Sequence, residues 1–188
     1  MNCIKSLVFV VLGCVFLSAC STTPLAGNEE NGRTLIAKRF LRNVGAGQLA
    51  MSSFRKTIEK EAVDNPGIAE LSNKVFADVN EEAFITLASD VYSRNLSSDD
   101  LEELANFSES PTIKRFFAVI FDRIATEQPV DRSVFKQFNS DEILEVMKFS
   151  VSGSFTRMSA ALPKINKELS MASASYGQEL FRNYMKTH

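Results

Sequence analysis

Cysteine runs out early in this 188-residue chain: Cys3, Cys14 and Cys20 are its three, and none follows. A domain built from the residues beyond Cys20 can have no disulfide, no thiolate nucleophile and no zinc–thiolate site. Histidine occurs once, as the last residue, His188. A terminal imidazole has no scaffold to orient it as a base, so the ordinary zinc and triad machinery is missing too. Tryptophan is absent. The net charge is only −2, with no basic stripe to suit nucleic acid and no polybasic patch to suit anionic lipid. No Asp-x-Asp-x-Asp-Gly loop occurs, which excludes an EF-hand. No catalytic residue, metal ligand or cofactor site is therefore expected.

What the chain does have begins at its N-terminus. Lys5 is the single charge ahead of an apolar run, Leu7 to Leu17, that is too short to span a ~30 Å hydrocarbon core as a helix. Leu17-Ser18-Ala19-Cys20 then closes the run with small residues before a cysteine. This segment resembles the lipobox of bacterial lipoproteins. The resemblance implies cleavage after residue 19 and lipidation of Cys20, which becomes the first residue of the mature chain. Two cysteines leave with the leader and the third carries lipid. Ser21, at the position after the cysteine, resembles the outer-membrane class, since aspartate is the usual inner-membrane retention signal. One acyl chain binds only marginally, whereas several anchor a protein stably. Ser21 to about Arg33, with Pro24, Gly27, Gly32 and the Glu29-Glu30 pair, reads as a tether about 20 Å end to end. The expected layout is a leader over 1–19, a lipidated tether over 20–33 and one domain over 34–188.

From Thr34 onward the apolar spacing is helical and no stretch alternates like a strand, so the predicted class is all-α. Leu35, Ile36, Phe40, Leu41 and Val44 form one stripe, which Gly45-Ala46-Gly47 interrupts or bends. Met51, Phe54, Ile58 and Ala62 continue it as far as the stop at Asp64-Asn65-Pro66-Gly67. Ile68, Leu71, Val75 and Val79 follow. Asn80 is an expected N-cap, with Glu81 and Glu82 where the helix dipole favours acids. Phe84, Leu87, Val91 and Tyr92 then face the core.

The second half carries a degenerate repeat. Shifting 96–116 by 42 overlays 138–158, with Ser98, Asp99, Glu103, Phe107, Ser108, Ser110 and Arg115 recurring as Ser140, Asp141, Glu145, Phe149, Ser150, Ser152 and Arg157. Each copy reads as a helical hairpin. Ser97 or Asn139 caps its first helix, with Asp100 or Glu142 as the capping-box acid. Ser110-Pro111 or Ser152-Gly153 starts its second helix. Copy one continues with Ile113, Phe116, Phe117, Ile120, Phe121 and Ile124. Copy two continues with Phe155, Met158, Leu162, Ile165 and Leu169, where Pro163 is expected to bend or break the helix.

These residues resemble an exported bacterial family, domain of unknown function 2059. Tyr92, Leu96-Ser97, Asp100-Leu101, Leu104, Phe107 and Ser110-Pro111, followed by Lys114-Arg115, stand where that family has a tyrosine, a capped helix start and a Phe-Tyr-x-Ser-Pro motif. Ser108 replaces the family's tyrosine and Ile113 its glycine, marking a divergent member. The resemblance implies an all-helical exported domain and brings no activity or catalytic residues.

Three features compete as sites. The acidic clusters Glu81-Glu82, Asp99-Asp100-Glu102-Glu103 and Asp141-Glu142-Glu145 lie in first turns, where capping explains them. Ser110-Pro111 with Lys114 and Arg115, and Ser152-Gly153 with Arg157, look like anion sites at helix N-termini, or structural turns beside solvated cations. Phenylalanine is the compositional excess, with 13 of 15 beyond Cys20. At helical spacing these rings fill a core, or Phe116, Phe117, Phe121, Phe135 and Phe138 line a groove for an acyl chain or a partner helix. The C-terminal stripe Met171, Tyr176, Leu180, Phe181 and Tyr184 is either the last packing helix or a docking helix.

Together these features predict a non-catalytic lipoprotein of the Gram-negative envelope. It would be held to the membrane through Cys20, more in character for the outer membrane than the inner, with its domain in the periplasm. Its role would be interaction with an envelope partner. The alternative is a carrier or sensor of a hydrophobic ligand.

Overall fold

The computed structural model describes residues 32–64 and 66–187, without the side chains of residues 61, 62, 64, 66, 68 and 69. The leader, Cys20, most of the tether and His188 lie outside the described residues, as do the stripe positions Ala62 and Ile68 as side chains. Among the described residues the fold is all-α, with no strand. Its elements are α1 (Gly32–Asn43), α2 (Ala46–Asp64), α3 (Pro66–Val75), α4 (Glu81–Asn95), α5 (Ser98–Glu109), α6 (Pro111–Ala125), a 3₁₀ helix (Arg132–Gln137), α7 (Ser140–Ser150) and α8 (Gly153–Thr187).

The helix boundaries follow from local chemistry. The side chain of Asn80 accepts from the Ala83 amide at 3.1 Å, Ser97 from Asp100 at 3.1 Å, and Ser110 from Thr112 at 3.1 Å with Pro111 at the first helical position. Asn139 and Glu142 form a reciprocal capping box, whereas the carboxylate of Asp100 is used elsewhere. Each cap is worth about 1 kcal/mol. Gly45 ends α1 with φ +75, a conformation that favours glycine, and the chain re-enters a helix at once. The linker between α2 and α3 falls within the Asp64–Gly67 stop.

Three boundaries differ from the sequence reading. Helix α1 starts at Gly32, so Arg33 belongs to the domain, where its guanidinium donates to the Leu96 carbonyl. Residues 132–137 form a 3₁₀ helix capped by Asp131, an element without apolar periodicity to announce it. Pro163 does not break α8, which runs 35 residues through it. A proline removes one backbone donor, and the buried face of this helix, with Met158, Leu162, Ile165 and Leu169, holds it in place.

Helix α1 lies on α4 and α5, and the first half of α8 packs on the same two helices. Ser89 and Ser93 are buried on α4, each turning its hydroxyl onto its own helix at 2.8 and 2.9 Å, and small residues there suit a closely approaching helix. One core cluster links α1, α4, α5, α6, α7 and α8 around Leu101, Leu104, Ile113 and Phe149, none of which is exposed. Leu35, expected in the first stripe, is half exposed at 51%. Phe84 and Leu87 are only half-buried, while Ile85 on the same helix is buried.

Candidate functional site

The two hairpins, α5–α6 and α7–α8, begin their helices 42 residues apart, at 98 and 140 and again at 111 and 153. Their contacts are reciprocal under the same shift. Arg157 donates to Asp100 Oδ1 at 2.7 Å, and Arg115 donates to Glu142 Oε1 at 2.8 Å. Glu103 accepts from the Ser154 amide at 3.2 Å near the start of α8, and Glu145 lies by Ser110 and Thr112 at the start of α6, whose hydroxyls lower the pKa of its carboxyl. Phe107 and Phe149, partners of one another under the shift, meet with ring centroids 5.4 Å apart. Each half gives what the other half receives, as the two sides of an isologous interface do.

This geometry accounts for most of the charged candidates. Each helix N-terminus flagged as an anion site is faced by a carboxylate of the opposite hairpin, which satisfies amide and hydroxyl donors and complements the dipole. Arg115 and Arg157 are paired rather than simply solvated, and Arg115 also stacks its guanidinium 4.9 Å over Phe138. Hydrogen bonds from Arg157, with Ser97 adding to them, hold the Asp100 carboxyl below the usual range. The hydroxyls of Ser110 and Thr112 do the same for Glu145. Glu82 is lowered chiefly by its hydrogen bond with Arg42, at 2.5 Å, which ties α1 to α4. A general acid working at neutral pH needs the opposite shift. Among the described residues no cluster of His, Cys, Asp and Glu converges on a metal-sized site, and no helix is long and apolar enough to cross a membrane.

The five groove phenylalanines divide. Phe116 packs against Phe117, Phe135 and Phe138 at 6.0, 6.0 and 6.1 Å, an aromatic cluster in which Phe116 and Phe138 are buried and Phe135 half-buried. Phe117 and Phe121 instead border a separate space on the far side of α6. That space is a partly open apolar cavity of 90 Å³ bordered by α1, α2, α4, α6 and α8. Phe40, Phe84, Tyr92, Phe155 and Met158 line it with them, and no charged side chain does. An open cleft adjoins it, sharing Val44, Gly47, Leu49, Ile85 and Phe121 as a common wall. Arg42, Lys114, Glu81, Glu82 and Asp122 border the cleft.

Helix α2 forms one side of the cavity, packing on α3 and α4. Among its described residues only Gly47 and Leu49 are buried, while Met51, Phe54 and Ile58 are half-buried. A Cβ on Gly47 would stand 3.0 Å from the Glu81 carbonyl oxygen, so the glycine lets α2 approach α4. Lys56 donates to the Ala125 carbonyl at the end of α6. Phe54 meets Phe76 and Phe84 at 5.1 and 5.8 Å. Sequence reasoning missed the cavity because its walls come from five helices far apart in the chain.

The C-terminal stripe is split as well: Tyr176, Leu180 and Tyr184 are half-buried, whereas Met171 and Phe181 are exposed. In comparisons with known proteins, the chain matches no family model, no curated protein and no solved structure.

Proposed function

We propose that this chain is a lipid-anchored domain of the Gram-negative envelope, non-catalytic, attached through Cys20 and serving an interaction or accessory role at the outer membrane. The observation that carries this reading is the Leu17-Ser18-Ala19-Cys20 segment after a short apolar run. In support, the residues shared with domain of unknown function 2059 hold structural posts: Tyr92, Leu101 and Leu104 are buried, and Ser97 and Ser110 are caps. Metabolic labelling with an alkyne fatty acid tests the anchor. Label on the wild-type chain and none on Cys20→Ser is expected; equal labelling of the two would refute it.

A second reading, a carrier or sensor of a hydrophobic ligand, is favoured by the apolar cavity beneath α2, which Phe117 and Phe121 border.

A further inference from the structure

The cavity beneath α2 has a chemistry that selects its occupant. Its lining is aromatic and aliphatic, with Ser53 and Ser173 the hydroxyl side chains along it besides the phenol of Tyr92. Apolar cavities of this kind stay dry and take apolar guests. A charged or strongly hydrated ligand would lose its solvation there without a partner to replace it.

The volume decides the mode of entry. At 90 Å³ the cavity holds a few methylene-sized groups, well below the ~300 Å³ at which small-molecule pockets begin. A longer chain fits only if one wall withdraws. Helix α2 is the wall built to do so. It begins beside the left-handed Gly45 and ends at Asp64. Among its described side chains only Leu49 is buried, and Lys56 donates to the Ala125 carbonyl at the end of α6. The opposing walls, α4, α6 and α8, carry fully packed residues on their other faces and have no such freedom.

The adjoining cleft supplies the other half of an amphiphile's site. Of its two cations, Arg42 is committed to Glu82 at 2.5 Å, while Lys114 carries no ion pair among the described residues. Glu81, Glu82 and Asp122 make the cleft net acidic, so Lys114 is the one place in it, among the described residues, where a carboxylate head would meet a cation without an ion pair. We propose that the cavity roofed by α2 is the binding site for the hydrocarbon tail of a single-chain fatty acid, with α2 as its lid and Lys114 beside its carboxylate. This proposal rests on the second reading given above and names its site.

The test uses the full chain in isolated envelopes, photolabelled with palmitic acid carrying a diazirine near its methyl end. Adducts are expected in tryptic peptides 43–55 and 75–94, which carry the cavity residues of α2 and α4, and excess unlabelled palmitic acid should remove them. Ala88→Phe, which fills the space from α4, should cut labelling about tenfold. Ser53→Leu fills it from α2 and serves where Ala88→Phe fails to fold. Lys56→Met, which frees the lid, should raise the labelling rate severalfold. Competable adducts confined to the peptide carrying Phe138 would overturn this site while leaving a hydrophobic-ligand role standing. Absence of any competable adduct, or labelling unchanged in both filled variants, would overturn the site and the second reading together. Fatty-acid labelling of Cys20 is scored separately and bears only on the anchor.

Discussion

The paired hairpins and the α2–α3 arm are built from similar amino acids and held in different ways. In the hairpins, Leu101, Leu104, Ile113, Val146 and Phe149 are at most 2% exposed, and the charged residues between the halves satisfy one another reciprocally. In the arm, α2 buries only Gly47 and Leu49 among its described side chains, and its aromatic ring, Phe54, is half-buried against Phe76 and Phe84. Local opening is easiest where few side chains are buried, and α2 buries few among its described residues. Two helix pairs that exchange ion pairs thus supply the frame, and a helix with few buried side chains borders an apolar space against it.

The largest break in that contrast comes from the rings. Phe149→Ala removes a fully buried ring in contact with Phe107, Phe117 and Phe155 and should cost about 3–5 kcal/mol, melting the whole domain earlier. Phe54→Ala should cost roughly half as much, since half the burial is at stake. Urea melts of the two variants decide it: equal losses would mean that the arm is as tightly integrated as the hairpins.

Next comes the reciprocal clasp. Asp100→Asn should cost about 1.5–3 kcal/mol by weakening charge-assisted bonds to Arg157 at a buried carboxylate. Asp100→Arg combined with Arg157→Asp should recover part of that loss. The pH dependence has a definite sign. Because the folded carboxyl lies below its ordinary value of 3.8, the clasp contributes fully above that pH and fades as pH falls through the lowered value. The stability gap between wild type and Asp100→Asn should therefore hold steady at neutral pH and close in acid. A gap that instead widened in acid would contradict the assignment.

A smaller effect sharpens the arm. Gly47→Ala places a Cβ 3.0 Å from a backbone oxygen of Glu81, and the strain should offset the ~1 kcal/mol that alanine gains over glycine in a helix, leaving a small net loss. The hairpins should keep their melting cooperativity while α2 loses hydrogen-exchange protection. Loss of protection spread evenly over α5–α8 would argue against a separable lid.

The features legible in the sequence were those that depend on near neighbours. Asn80, Ser97, Ser110 and Asn139 announce helix starts because a cap is a three-residue event. The all-helical class follows from spacing, and Phe155, Met158, Leu162, Ile165 and Leu169 are buried where the stripe places them. Long-range geometry was not legible. Nothing adjacent to Glu103 or Glu145 indicates that each serves the opposite hairpin, nor does periodicity distinguish Phe116, in a filled cluster, from Phe121, beside a cavity. Leu144 and Met147, on α7, and Val151, which caps its end, lie exposed, because no further helix covers that face among the described residues. The 3₁₀ helix at 132–137 is shorter than two α-helical turns and leaves no period to read.

Hydrogen exchange on the full chain, with and without palmitic acid, tests the frame-and-lid account most directly. Without ligand, amides of α2 should exchange at least tenfold faster than those of α5, α6 and the first half of α8. Saturating palmitic acid should slow α2 at least tenfold and leave the hairpins unchanged. Uniform protection across α2 and the hairpins, unaltered by the fatty acid, would contradict it.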